Sequence, residues 1–118
     1  MKEFDLKIRT QNFAIEVLKF LEQLPNKYPY IAFVNQLTRA SLSVGANYRA
    51  AQRAKSTADF INKLKIVEEE TDECLYFFEV LKTIHPPFSN EIEKLHTEGE
   101  EILKIIVTII NKSRNRTS

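Results

Sequence analysis

The chain has 118 residues, a length typical of one domain with a substantial core, and a formal net charge of +1. Its two glycines and four prolines are too few for a turn-rich β architecture. The single cysteine excludes an intramolecular disulfide and a cysteine-ligated zinc site, and it fits a reducing compartment. The most apolar run, residues 102–110, is shorter than the ~20 residues that span a bilayer. Because the N-terminus also lacks the apolar core of a signal peptide, we expect a cytoplasmic protein with no membrane partner.

Apolar residues at intervals of three and four predict two amphipathic helices in the first half of the chain. The first covers about residues 3–24 and ends at Pro25, and residues 26–29 form the connection. The second covers about residues 30–54, and Ser56 or Thr57 is the predicted N-cap of the helix that follows. The predicted core positions of these two helices are Phe13, Val17, Leu21 and Leu24, and Phe33, Leu37, Val44, Tyr48 and Ala51.

Two further helices are predicted, over about residues 58–84 and 91–112. The third helix carries a heptad seam that the prolines at positions 86 and 87 end. In the fourth helix, Asn90 and Glu93 have the spacing of a capping box, and the polar tail 113–118 is expected to fray. Residues 105–110 taken alone resemble a strand, but the chain has no second strand to pair with them. The seam consists of Phe60, Leu64, Val67, Thr71, Cys74, Phe78 and Leu81.

Four helices of roughly 20 residues with short connections predict an all-α fold, an antiparallel up-down-up-down four-helix bundle formed by a single domain over residues 1–118. A di-iron bundle needs two Glu-x-x-His motifs, and only Glu93–His96 matches, so we interpret His96 as a surface histidine. Cys74 lies on the seam and is interpreted as an inert core thiol. We therefore expect no enzymatic activity, no catalytic residue, no metal and no cofactor.

The second helix has a basic face. On a helical wheel Arg39, Arg49 and Arg53 fall within an arc of about 80° opposite the core stripe, and we call them the arginine face. Residues 25–58 contain five cations and no acid, so nothing nearby in the sequence neutralises these arginines. The further basic candidates are Lys55 after the helix and, in the C-terminal tail, Arg114 and Arg116.

Four other residues of the second helix indicate a contact with another subunit. Leu42 lies beside the arginine face, and Ile31 has a similar bearing, so both apolar side chains are predicted to be covered by a partner. Gly45 costs roughly 1 kcal/mol relative to alanine in a helix, and close packing by another backbone would compensate for it. Asn47 lies between the arginine face and the core stripe, where an amide bonded on both sides would fix the register.

Two partners are compatible with the arginine face, because arginine binds phosphate and carboxylate equally well in bidentate geometry. The first is the phosphate backbone of RNA or DNA, with little base readout. The second is an acidic run on the third helix, within the bundle or in a neighbouring subunit, with Glu69, Asp72 and Glu73 as candidates. An ordinary solvated face is the remaining alternative for both charged surfaces.

Residues 36–81 resemble the four-helix-bundle proteins encoded in the intervening sequences of bacterial 23S ribosomal RNA genes. The similar stretches are LTRASLSVGANYRAA, residues 37–51, and the pattern S-x-x-DFI-x-KL, residues 56–64. Family members commonly read Arg-Ala-x-x-Ser-(Ile/Val)-x-x-Asn in the first stretch, which Arg39, Ala40, Ser43, Val44 and Asn47 match. The chain departs from the common pattern at residues 48–51, Tyr-Arg-Ala-Ala in place of Ile-Ala-Glu-Gly, and at residues 70–71, Glu-Thr in place of Gly-Ser.

The resemblance implies a ring-shaped homopentamer of four-helix bundles without enzymatic activity. It extends to the accessory variability determinant of diversity-generating retroelements, whose basic surface is understood to bind nucleic acid and a reverse transcriptase. By resemblance, therefore, the expected partners are further copies of the chain, RNA or DNA, and a protein such as a reverse transcriptase.

Overall fold

The computed structural model describes residues 6–117, so the predicted helix start at residue 3 and the last residue, Ser118, lie outside the described residues. It contains the helices α1 (Leu6–Leu21), α2 (Tyr30–Gln52), α3 (Thr57–Ile84) and α4 (Ser89–Thr117), with a short 3-10 helix, Pro86–Phe88, between α3 and α4. No strand occurs within residues 6–117, and residues 105–110 are helical, which confirms the all-α prediction. None of the described helices has the length and apolar character needed to cross a membrane.

The start of α3 is fixed by a side-chain cap, as the sequence predicts. Ser56 adopts an extended backbone, and its Oγ accepts a hydrogen bond from the backbone N–H of Asp59 at 3.0 Å. The Asp59 carboxylate in turn accepts from the backbone N–H of Lys55 at 3.2 Å. Two backbone donors that have no partner inside the helix are thus satisfied reciprocally, so the chain turns into α3 at a defined position.

The start and the end of α4 differ from the prediction. The helix begins at Ser89, whose Oγ donates to the carbonyl of Pro86 at 2.7 Å, and Asn90 is already helical. The predicted capping box of Asn90 and Glu93 is therefore wrong, because the 3-10 helix leads directly into α4 and Glu93 accepts from Lys82 instead, at 2.9 Å. At the other end, α4 continues through Thr117, and the side chain of Ser113 is buried.

The core lies along the predicted apolar stripes. Phe60 and Phe33 are half-buried at its edge. Two buried hydroxyls donate to the carbonyl four residues earlier, Thr10 to Leu6 and Thr71 to Val67, both at 2.7 Å, so neither is left unsatisfied. The predicted positions that are buried are Phe13, Val17, Leu21, Leu24, Leu37, Val44, Tyr48, Ala51, Leu64, Val67, Thr71, Cys74, Phe78 and Leu81.

Aromatic rings close one end of the molecule, which measures 48 × 21 × 21 Å. The ring of Phe88 lies 5.8 Å from that of Phe20 and 4.9 Å from that of His85. The Tyr30 hydroxyl at the start of α2 lies 3.1 Å from Nδ1 of His85 at the end of α3. The opposite end contains the end of α2, the start of α3 and the last turns of α4.

Candidate nucleic-acid interface

Arg39 is engaged within its own chain. Its guanidinium binds the carboxylate of Glu70 at 2.9 Å and also the carboxylate of Glu73, both on α3. The hydrogen bond that Arg39 donates to Glu70, followed by the charges of both carboxylates, raises the pKa of Arg39. Of the predicted acidic partners only Glu73 makes this contact, and Glu70 was missed. The positive charge of Arg39 is thus largely compensated inside the bundle.

Within residues 6–117, no carboxylate forms an ion pair with the other two members of the arginine face. Nη2 of Arg49 donates to Oε1 of Gln11 on α1 at 3.0 Å, a neutral partner that positions the guanidinium. Arg53, at the end of α2, is exposed, as is Lys55 in the following turn. The structure therefore divides the arginine face, with Arg39 against α3 and the other two arginines toward the end of the helix.

Arg49, Arg53, Lys55 and Lys63 line one shallow cavity of about 510 Å³, together with Ala46 and Ala50. We call it the basic depression. The two alanines keep the α2 side of the depression open between the long basic side chains. The cavity is formed by the last turns of α2 and the first turns of α3, so the Ser56 cap described above fixes the relative position of its two sides.

Among the described residues, Asp59 is the one carboxylate that lines the basic depression, and both of its oxygens are already engaged. One accepts from the backbone N–H of Lys55 and the other from Nζ of Lys63 at 3.3 Å. These two hydrogen bonds, the backbone one first, lower the pKa of Asp59. The basic depression thus contains four cations and one carboxylate, and this carboxylate already accepts hydrogen bonds from the Lys55 backbone and from Lys63. The contribution of Lys63 was missed, although its spacing from Asp59 in the motif DFINK places both on one face of α3.

A second cavity, of about 330 Å³, adjoins the first, since Lys55 lines both. Its other walls include the half-buried ring of Phe60 on α3 and the side chain of Arg116 on the last turns of α4. We call it the aromatic depression. The structure thus brings Arg116 to the basic candidates of α2, whereas Arg114 is exposed nearby on α4 and lines neither depression.

Gly45 and Asn47, two of the predicted interface residues, make contacts within the chain. A Cβ on Gly45 would lie 3.3 Å from Oγ1 of Thr10, so the glycine lets α1 approach α2 closely. Nδ2 of Asn47 donates to the carbonyl and the hydroxyl of Ser43 at 2.9 and 2.8 Å, both on its own helix. The close approach that compensates for Gly45 is therefore found inside one chain.

Leu42 and Ile31, the other two, are exposed by 49% and 43%. Leu42 borders a groove of about 540 Å³ between α1 and α2 that also exposes Ile15 and ends at Arg49. Ile31 lies at the start of α2, outside this groove. Arg49 lines both this groove and the basic depression. It therefore lies at the boundary between an apolar surface and a positively charged one.

Two residues considered for chemistry are held in structural roles. Burial, followed by the charges of Glu70 and Glu73, raises the pKa of the Cys74 thiol to about 12, and the thiol lies in the core, as its position on the seam predicts. His96 is half-buried rather than a simple surface residue, with Nε2 2.7 Å from Glu79 and Nδ1 3.4 Å from Glu100. Across residues 6–117, no three metal-ligating side chains come together in a way that could hold a metal ion.

The chain is similar to known proteins over almost all of its length. The family model described as 23S rRNA-intervening sequence protein matches residues 2–108. A crystal structure of a protein of unknown function from the S23 ribosomal protein family of Bacteroides thetaiotaomicron VPI-5482 is 32% identical and superposes with a TM-score of 0.85. That similarity covers 94% of this chain and 99% of the other. No curated protein matches the chain. The chain therefore belongs to the family of 23S rRNA-intervening sequence proteins.

Proposed function

We propose that this protein is a non-enzymatic, homo-oligomeric four-helix bundle that binds RNA or DNA through the phosphate backbone. The observation that carries the proposal is the basic depression, where four cations from α2, from α3 and from the turn between them line one cavity with a carboxylate that is already engaged. We infer an antiparallel up-down-up-down order of helices. It is supported by contacts between the start of α2 and the end of α3, and between the end of α3 and the start of α4.

Phosphate is the ligand chemistry that fits the basic depression best. Cations that neutralise phosphates release condensed counterions, and this release supplies sequence-independent affinity. Arg49 and Arg53 offer bidentate geometry for phosphate oxygens, while Lys55 adds a point charge. The net charge of the whole chain is only +1, so binding rests on this local cluster and not on a general positive field. Such a site holds a backbone and reads little sequence.

The candidates contribute unequally in this proposal. Arg49, Arg53 and Lys55 are the primary contacts, and Arg116 and Arg114 extend the positive surface along α4. Arg39 contributes least, because Glu70 and Glu73 already bind its guanidinium. The ranking is testable, since neutralising Arg39 should change affinity far less than neutralising Arg53.

The experiment is a fluorescence-anisotropy titration of labelled RNA and DNA oligonucleotides over a series of salt concentrations. We expect binding that weakens as salt rises and that is lost in the double variant Arg49→Glu/Arg53→Glu. Lys27→Glu/Lys94→Glu, which reverses two exposed lysines away from both depressions, is the matched control and should bind like the native protein. Absent or salt-insensitive binding, or equal losses in the two double variants, would refute the proposal.

A second candidate function is a protein-interaction module, favoured by the apolar groove between α1 and α2. We propose a second copy of the chain as its occupant, with the exposed Leu42 and Ile15 as apolar contacts and Arg49 pairing with a carboxylate of the neighbour. Ile31 would lie at the edge of such an interface, and the family resemblance suggests a pentamer. Light scattering of Leu42→Glu tests this role. A smaller species than the native one supports it, and an unchanged mass contradicts it.

A further inference from the structure

We infer that the nucleic acid bound at this end of the bundle is single-stranded, with one base stacked on the ring of Phe60. The inference rests on the proposed phosphate binding and adds the class of ligand. It comes from the adjacency of the two depressions, one lined by cations and the other by an aromatic ring and two cations.

Phe60 differs from the residues that follow it along the heptad seam. Leu64 and Val67 are fully buried, whereas Phe60 is half-buried, packs against the core and also lines the aromatic depression. The backbone of Phe60 is fixed in the first turn of α3, because its N–H donates to the Ser56 carbonyl at 2.9 Å. An aromatic residue on an ordered helical turn is therefore presented at an open cavity.

The positive charges lie where a backbone attached to a stacked base would run. Lys55 lines both depressions. A phosphate bound by Lys55 would therefore join a nucleotide whose base lies in the aromatic depression to a backbone that continues along the basic depression. Arg116 lines the aromatic depression on the side of α4, and its planar guanidinium can stack on the second face of a base. Cations along a backbone combined with an aromatic platform are the features of single-strand binding sites.

A duplex does not satisfy both depressions. Its bases are already stacked on each other, so none of them offers a face to Phe60, and only its phosphates can engage the cations. A single strand can turn one base out at no cost in base pairs, and the stacking adds to the phosphate contacts. Discrimination between the two forms is thus a property of the ring and not of the charges.

The test uses a tryptophan at position 60, since the native chain has no tryptophan and Phe60→Trp creates a single reporter. The protein is titrated with single-stranded RNA, single-stranded DNA and duplex DNA of equal length. The control is Tyr76→Trp, at a residue exposed by 62% that lines neither depression. We expect both single strands, or RNA alone if the 2′-hydroxyl is also contacted, to quench the fluorescence of the Phe60→Trp variant at least two-fold more than the duplex does. The control tryptophan should not respond.

A second variant separates stacking from folding. Phe60→Leu keeps an apolar side chain in the seam and should weaken single-strand binding by about five-fold or more while changing duplex binding less than two-fold. Phe60→Tyr should restore the native affinity. Equal quenching by duplex and single strand, or equal losses for both in Phe60→Leu, overturns the stacking while salt-dependent binding still supports the proposed function. Failure of every oligonucleotide to bind overturns both.

Discussion

The ion pair between Arg9 on α1 and Glu98 on α4 should contribute measurably to the free energy of unfolding, and removing Glu98 should lower that free energy more than removing Arg9. Nε of Arg9 lies 2.6 Å from one carboxylate oxygen and Nη2 lies 2.8 Å from the other, a bidentate arrangement. The side chain of Arg9 is only 12% exposed, whereas that of Glu98 is 36% exposed. Glu98→Leu removes the bidentate Glu98 carboxylate from a largely buried guanidinium, but Arg9→Met leaves a carboxylate that water still reaches.

The magnitude follows from this difference in exposure. Breaking a fully buried pair costs about 3–5 kcal/mol, and an exposed pair contributes about 1 kcal/mol or less. Because solvent screens the Glu98 side, we expect Glu98→Leu to lower the free energy of unfolding by about 2 kcal/mol and Arg9→Met by about 1 kcal/mol. The two losses should not add in the double variant, and the coupling free energy should be about 1 kcal/mol.

The assay is urea denaturation followed by circular dichroism, at one protein concentration so that any assembly affects all variants equally. The pair Lys19–Glu16 is the control, with its atoms 3.7 Å apart and its side chains 70% and 63% exposed. Its double-mutant cycle should give a coupling near zero. If Arg9→Met is as harmful as Glu98→Leu, or if the coupling equals that of the control pair, burial does not set the strength of this interaction.

Four further predictions concern α3 and α4. Ser56→Ala should lower the free energy of unfolding by about 1 kcal/mol in urea denaturation. Ser56→Asn should keep most of the stability that the cap contributes, because asparagine is also a good N-cap. Hydrogen bonds lower the pKa of Asp59, so its stabilising contribution is present above the ordinary pKa of 3.8 and is lost as the pH falls through the lower pKa of the folded state. When the free energy of unfolding is measured against pH, Asp59→Asn should therefore reduce the loss of stability at acidic pH. Cys74 should resist thiol reagents in the folded protein and react in denaturant, and rapid labelling of the folded protein would contradict its burial. Gly99→Val should destabilise the protein by roughly 2 kcal/mol in thermal melts, because a Cβ at Gly99 would lie 2.8 Å from Cδ2 of Leu75; an unchanged melting temperature would show that Leu75 moves aside freely.

Hydrophobic periodicity was enough to predict the helices and their buried faces. The seam of α3 repeats every three and four residues, so its burial could be predicted residue by residue from Leu64 through Leu81, whereas Phe60 at its start is only half-buried. The Ser56 cap was equally predictable, because its partner is only three residues away. Asn90 shows the limit of such local patterns. Its capping box has the correct spacing, but the preceding prolines form a 3-10 turn that starts the helix at Ser89, two residues before the predicted start.

The candidate site depended on contacts between helices, which a helical wheel does not supply. The wheel gives the direction of Arg39 from the axis of α2, but it does not show that Glu70 of α3 lies within bonding distance. It likewise gives no reason to place Arg116 near Lys55, since these two residues are far apart in the sequence and meet only where the end of α4 lies beside the turn between α2 and α3. The composition of the basic depression is thus a result of packing, although each cation could be identified beforehand.

The aromatic rings that close the opposite end of the bundle imply a gradient of local opening along the molecule. Phe20, Phe88, His85 and Tyr30 tie together α1, the turn before α4, the end of α3 and the start of α2. Backbone amides near these rings should therefore exchange with solvent slowly, at rates set by global unfolding. Amides in the last turns of α4 lie far from this cluster and should exchange through local fraying. A ligand at the basic end could then order a helix terminus without any change reaching the aromatic end.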